Sequence, residues 1–112
     1  MPSKSPAQRL QDIVENIDAI RAFTEGMDLN SFSADKKTIY AVIRALEIIS
    51  EASKRVRLDL KNRHPGLDWP AIAAAGNVYR HEYEVVDENL TWNTVSSGLQ
   101  ALRIAVTREL GP

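Results

Sequence analysis

Within Gly76-Asn77-Val78-Tyr79-Arg80-His81-Glu82-Tyr83 the chain gathers an arginine, a histidine and two tyrosines. His81 is one of only two histidines present, and it stands between a cation and an anion. Histidine moves a proton near neutral pH, and a guanidinium holds the charge that develops on a phosphoryl group. The pair suits phosphodiester chemistry. Cleaving a phosphodiester calls for a base for the attacking oxygen, an acid for the leaving oxygen and a cation for the developing charge. His81 can serve as base or acid, and Arg80 as the phosphate clamp. Were the cluster helical, adjacent side chains would point about 100° apart.

The rest of the chain bounds what this cluster belongs to. Its 112 residues suffice for one domain with a real core, and 44% hydrophobic with 26% charged residues is ordinary globular composition. No cysteine is present, so a disulfide scaffold, a thiolate metal site and a thiol nucleophile are all excluded. Two histidines without cysteine offer no structural-zinc spacing. There is no Gly-rich phosphate loop and no Ser-His-Asp order, so no cofactor is called for. The segment Met1–Pro6 lacks the apolar stretch of a secretory signal, and no run approaches the length of a membrane helix, so a soluble, cytoplasmic protein is expected. A formal charge of −1 argues against broad, salt-driven nucleic-acid binding and leaves room for a selective nuclease with a local basic cleft.

Apolar spacing then predicts the elements that position the cluster. Ser5 and Pro6 read as cap and first residue of a helix carrying Leu10, Ile13, Val14, Ile17 and Ile20, closed by Gly26. Residues 27–32 read as a connector, and Ser33 as the next N-cap with Asp35 in the first turn. One apolar stripe from Ile39 to Leu60 predicts a helix of roughly 40 Å reaching about Arg63. His64 reads as a C-terminal capping residue before Pro65-Gly66. Asp68-Trp69-Pro70 opens an alanine-rich helix that feeds into the cluster. Asp87 starts the last helix, lined by Trp92, Val95, Leu99, Leu102, Val106 and Leu110. No strand competes: residues 83–86 can extend locally, but a lone strand has no partner. The expected fold is an all-α, up-and-down bundle of four to five helices.

Three blocks in this order resemble a known family. They are Lys37-Thr38-Ile39-Tyr40-Ala41-Val42-Ile43-Arg44-Ala45-Leu46-Glu47-Ile48-Ile49-Ser50-Glu51-Ala52, then His64-Pro65-Gly66-Leu67-Asp68-Trp69-Pro70-Ala71-Ile72-Ala73, then residues 76–83 followed by Val86-Asp87 and Leu90-Thr91-Trp92. The chain resembles HepT-like members of the HEPN family from about Leu10 to Leu102. The resemblance implies a single domain over 1–112 with loose ends (about 1–5 and 110–112). It also implies a homodimer with its motif segments facing across a cleft, and a ribonuclease toxin in a toxin–antitoxin pair of type II or VII character. The implied partner is a minimal nucleotidyltransferase antitoxin, and the implied substrate is RNA.

The family signature is an arginine, four to six residues, then a histidine extended by any residue and tyrosine. His81 and Tyr83 match the latter part, and Asn77 matches the residue that usually follows the arginine. At Ala74, Ala75 and Gly76 no arginine stands, and Arg80 is the nearby substitute. The resemblance further implies AMP transfer onto Tyr83 by the partner. On the long helix, Arg44, Glu47, Glu51 and Arg55 form a polar stripe. Read plainly, it is a solvated face of i,i+4 ion pairs. Read functionally, Glu51 orients Arg80 or His81, and Arg44 supplies the missing cation. The alternative for the whole protein is a non-catalytic module that docks the transferase, and a third option is a purely structural helical subunit.

Overall fold

Helix α1, Pro6–Thr24, begins with a reciprocal cap: Ser5 Oγ accepts from the Gln8 amide, and Gln8 Oε1 accepts from the Ser5 amide. Gly26, at φ +77°, turns the chain away from it. Leu10, Ile13, Ile17 and Ile20 are all buried along one side. The computed structural model describes residues 5–77, 79–80 and 85–111, with the backbone alone at 79–80 and 85–86.

The expected connector contains a short helix, α2, Leu29–Ser33. Asp28 caps it through the Ser31 amide at 2.9 Å, and the turn drives Phe32 to full burial, 5.1 Å from the Trp92 ring. Ser33 is therefore the last residue of α2 and not the cap expected of it. Asp35 caps α3, Lys36–Lys54, accepting from both the amide and the hydroxyl of Thr38. A carboxylate that takes two donors outcompetes a serine committed to the preceding helix.

The long helix also needs correcting. It stops at Lys54 after about 28 Å, and α4, Leu58–Arg63, follows after a break. At the break the Arg55 and Val56 amides reach only three residues back, to Ala52 and Ser53, and Ser53 Oγ donates to the Ser50 carbonyl at 2.7 Å. These bonds tighten the last turn and end the regular ladder. Val56 and Leu60 stay buried while Leu58 is 71% exposed, so the chain turns without giving up its core contacts.

Beyond α4 lie α5, Trp69–Ala74, and α6, Glu88–Asn93, capped by Asp68 and Asp87 as expected. A π-helical turn, Thr94–Gly98, separates α6 from α7, Gln100–Leu110. In this turn Thr94, Ser96 and Ser97 donate their hydroxyls to carbonyls four residues back, a bond that loosens helical geometry. The expected single last helix is thus interrupted, although Leu99, Leu102 and Val106 still share the core. The strand expectation is overturned as well. Tyr79–Arg80 (β1) pairs antiparallel with Val85–Val86 (β2), Tyr79 opposite Val86 and Arg80 opposite Val85.

The all-α bundle holds, divided more finely than the apolar stripes suggest. Helix α1 packs on α3 and α7, and α5 rests on α3. Among the described residues no helix is long and apolar enough to cross a membrane.

Candidate active site

The segment carrying the Arg-His cluster is fastened at both ends. At its start, the Gly76 amide donates to Ser50 Oγ at 2.7 Å, and that hydroxyl reaches the Ile72 carbonyl at 3.3 Å. Ser50 is 5% exposed, so this single side chain ties the end of α5 to the middle of α3. At its finish, Asp87 accepts from the Leu90 amide, and the buried Thr91 hydroxyl donates to the Asp87 carbonyl at 2.7 Å. Between these anchors the chain runs through β1 and β2.

Gly76 is a site of close approach. A Cβ there would lie 3.0 Å from Glu47 Cα and 3.1 Å from Ser50 Oγ. That is tighter than ordinary van der Waals contact, so a side chain at 76 would require the α3 backbone to give by a few tenths of an ångström. Position 76, one of the three where the family pattern allows an arginine, is thus the one packed on the α3 backbone. Ala75 is half-buried, and Ala74 is exposed.

The predicted site residues divide by location. His81 and Tyr83 lie outside the described residues. Arg80 is described by its backbone, which is a strand rather than a helix, so the helical offset does not apply to it. Asn77 is exposed where α5 gives way to β1. Arg44, Glu47 and Glu51 are exposed on α3, one turn apart, and Gly76 docks on the backbone of the middle one. The start of the motif thus falls between Arg44 and Glu51. Glu51 is bound by Arg55 at 2.9 Å and approached by Lys54 at 3.8 Å. Arg44 has no partner among the described residues.

His64, the second histidine, is the C-cap of α4, as expected, and it also joins two distant elements. Its Nε2 lies 2.8 Å from Glu109 Oε2, and Arg63 Nη2 donates to Glu109 Oε1 at 2.6 Å. Arg63 first, and then His64, hold the Glu109 carboxyl down to about 2. Trp69 Nε1 donates to the His64 carbonyl, with Lys61 over its ring at 5.7 Å, so this knot also sets where α5 begins. It is a structural tie.

Sequence reasoning missed Ser50 and the part Gly76 plays. The available signal was a pair of serines, Ser50 and Ser53, inside an otherwise apolar helix stripe. It also missed a cavity of about 620 Å³ between α5 and the α6–π-turn segment, with Asn77 on its lining.

With this arrangement in view, residues 13–109 match the family model described as Ribonuclease HepT-like. The chain belongs to the HepT-like ribonuclease family. A protein of Thermococcus cleftensis named "Probable ribonuclease HepT" is 41% identical over 100 residues, covering 89% of this chain and 91% of that protein. A Methanocaldococcus jannaschii protein, provisionally named an RNase, is 35% identical over 94 residues, 84% of this chain and 86% of its own length. A third, from Caldanaerobacter subterraneus subsp. tengcongensis and similarly named, is 28% identical over 92 residues, 82% of each chain. No solved structure matches. The HepT-like match spans α1 to α7, so it takes in both anchors of the hairpin as well as the cluster between them.

Proposed function

We propose that this protein is an endoribonuclease that works as a homodimer, with His81 and Arg80 of the two copies lining one cleft. Membership of the HepT-like ribonuclease family over residues 13–109 is the observation that carries this reading. In the reaction His81 takes the proton of a ribose 2′-hydroxyl, and the 2′-oxygen attacks phosphorus. The 5′-oxygen leaves as an alcohol, receiving its proton from the partner copy's histidine, and a 2′,3′-cyclic phosphate remains. Arg80 offsets the charge that builds on the phosphorane. Arg44, without a partner among the described residues and one turn from the Gly76 seat, is the second cation beside the start of the motif. Asn77 supports the cluster from the end of α5, and Glu51 orients it when released from Arg55.

The same reading makes the protein the toxin of a toxin–antitoxin pair in the cytoplasm, silenced by a minimal nucleotidyltransferase. Tyr83 is the acceptor: its phenolic oxygen bonds to the α-phosphorus of a nucleoside triphosphate and pyrophosphate leaves. The added phosphodiester then repels RNA phosphates. Induced expression of wild type and His81→Ala, without the partner, tests the enzyme. Growth arrest by wild type only, with RNA fragments ending in cyclic phosphate, is expected. Equal, harmless growth at matched expression would remove the nuclease.

Gly76 favours a second reading. A close backbone contact at position 76, in place of the arginine the family pattern allows there, is compatible with a chain that has given up cleavage and kept its docking surface. Such a module binds the transferase with the same affinity whether or not His81 is replaced.

A further inference from the structure

The cavity between α5 and the α6–π-turn segment opens beside the first anchor of the β1–β2 segment, with Asn77 on its lining. Its floor is made by Ile49, Ile72 and Leu99, and its α5 side by Ala71, Ala74 and Ala75. Across from these stand Leu90, Asn93, Thr94 and Ser97. The walls are mostly carbon, and the alanines leave a broad, shallow surface against which a flat group can lie.

Three features decide what such a space accepts. Its volume, about 620 Å³, is within the range of small-molecule sites. Among the described residues its lining includes no lysine or arginine, and the one carboxylate there, Asp68, already accepts from the Ala71 amide, so a phosphate finds no counter-charge from these residues. Finally, the side-chain amides of Asn77 and Asn93 have no hydrogen-bond partner among the described residues, while the hydroxyls of Thr94 and Ser97 are turned back onto Leu90 and Asn93. An amide offers a donor and an acceptor side by side, the complement of a base edge. A neutral, planar, edge-polar group therefore fits, with its anionic attachment left outside.

We propose that this cavity is a nucleobase subsite, holding one unstacked base of single-stranded RNA between α5 and the π-turn while Asn77 and Asn93 read its edge. This rests on the ribonuclease reading, because it makes the base a neighbour of the phosphate presented to Arg80. Asn77, the last residue before the hairpin segment, links the two: one face of its position belongs to the cavity, the other leads into the motif. Single-stranded bases splayed from the backbone are the usual targets of sequence-specific RNA recognition.

The test uses a short single-stranded RNA with 2′-O-methyl groups to block cleavage, beside the same RNA abasic at every position. Wild type is expected to bind the intact RNA about tenfold more tightly. That difference should shrink to near nothing in Asn93→Ala, and in Ala74→Trp, which fills the space from an exposed helical position. Equal binding of both RNAs by wild type, or a difference that survives in both variants, overturns the subsite. Cleavage of unmodified RNA, run in parallel, separates the two ideas. Base-dependent binding without cleavage keeps the subsite and removes the nuclease, and cleavage without base-dependent binding does the reverse.

Discussion

Helices α1 and α3 differ sharply from the region formed by α5, α6 and the π-turn. The first pair contributes Ile13, Ile17, Ile20, Val42, Leu46 and Ile49, each with no exposed surface. In the second region α5 and the π-turn bury no residue fully, and α6 buries only Thr91. One half is a close-packed frame, and the other is an open wall with a cavity behind it. Local stability follows buried apolar contact, so the region of α5, α6 and the π-turn opens at lower cost than the frame.

Substitutions in the two halves should separate them most clearly. Leu46→Ala removes a fully buried side chain from the frame and is expected to cost about 2–5 kcal/mol in urea unfolding. Ile72→Ala, on the half-buried α5, should cost less than half of that. Equal losses would mean that the open wall is as tightly packed as the frame.

The seam between the halves comes next. Gly76→Ala pushes a methyl to within 3.0 Å of Glu47 Cα and is expected to cost about 1–3 kcal/mol. Ser50→Ala leaves the Gly76 amide without its acceptor, for a loss of about 1–3 kcal/mol. Both should raise amide hydrogen exchange along α5 and leave α1 protected. Exchange that rises equally in α1 would show that the two halves open together.

A pH-dependent contribution is expected at the far end of the seam. The folded Glu109 carboxyl is held at about 2, below its unfolded value of 4.5. Its stabilisation is therefore complete above pH 4.5 and is lost as pH falls toward 2. Urea midpoints measured from pH 6 to pH 2 should fall for wild type and fall less for Glu109→Gln. The smallest effect is assigned to the half-exposed Asp18–Arg103 pair, which joins α1 to α7 at 2.6 Å. Arg103 lowers the Asp18 carboxyl, yet solvent screens the pair, so Arg103→Ala should cost about 0.2–1 kcal/mol and less in high salt.

Much of the frame was legible because its signals are local. Ser5 with Pro6, Asp68 with Pro70, and Asp87 are caps that act within one turn, and each starts a helix where its type demands. The break after Lys54 was not legible, because Val56 and Leu60 keep the helical register and stay buried on both sides of it. Phe32 looked like part of a connector although it is a core anchor, since nothing within its own segment shows what covers it. At the candidate site, His81, Arg80 and Tyr83 were singled out by residue type. The Gly76 seat on α3 was not, because a glycine looks the same whether it turns the chain or admits a neighbouring backbone.

The all-α class and most helix starts follow from the order of amino acids. They rest on interactions spanning three or four residues, which a single chain displays directly. Only the fold decides that Ser50 holds Gly76, twenty-six positions away, and that Glu109 binds Arg63 and His64 at separations of forty-six and forty-five. These contacts belong to surfaces brought together by packing, and packing depends on how every buried side chain fits at once.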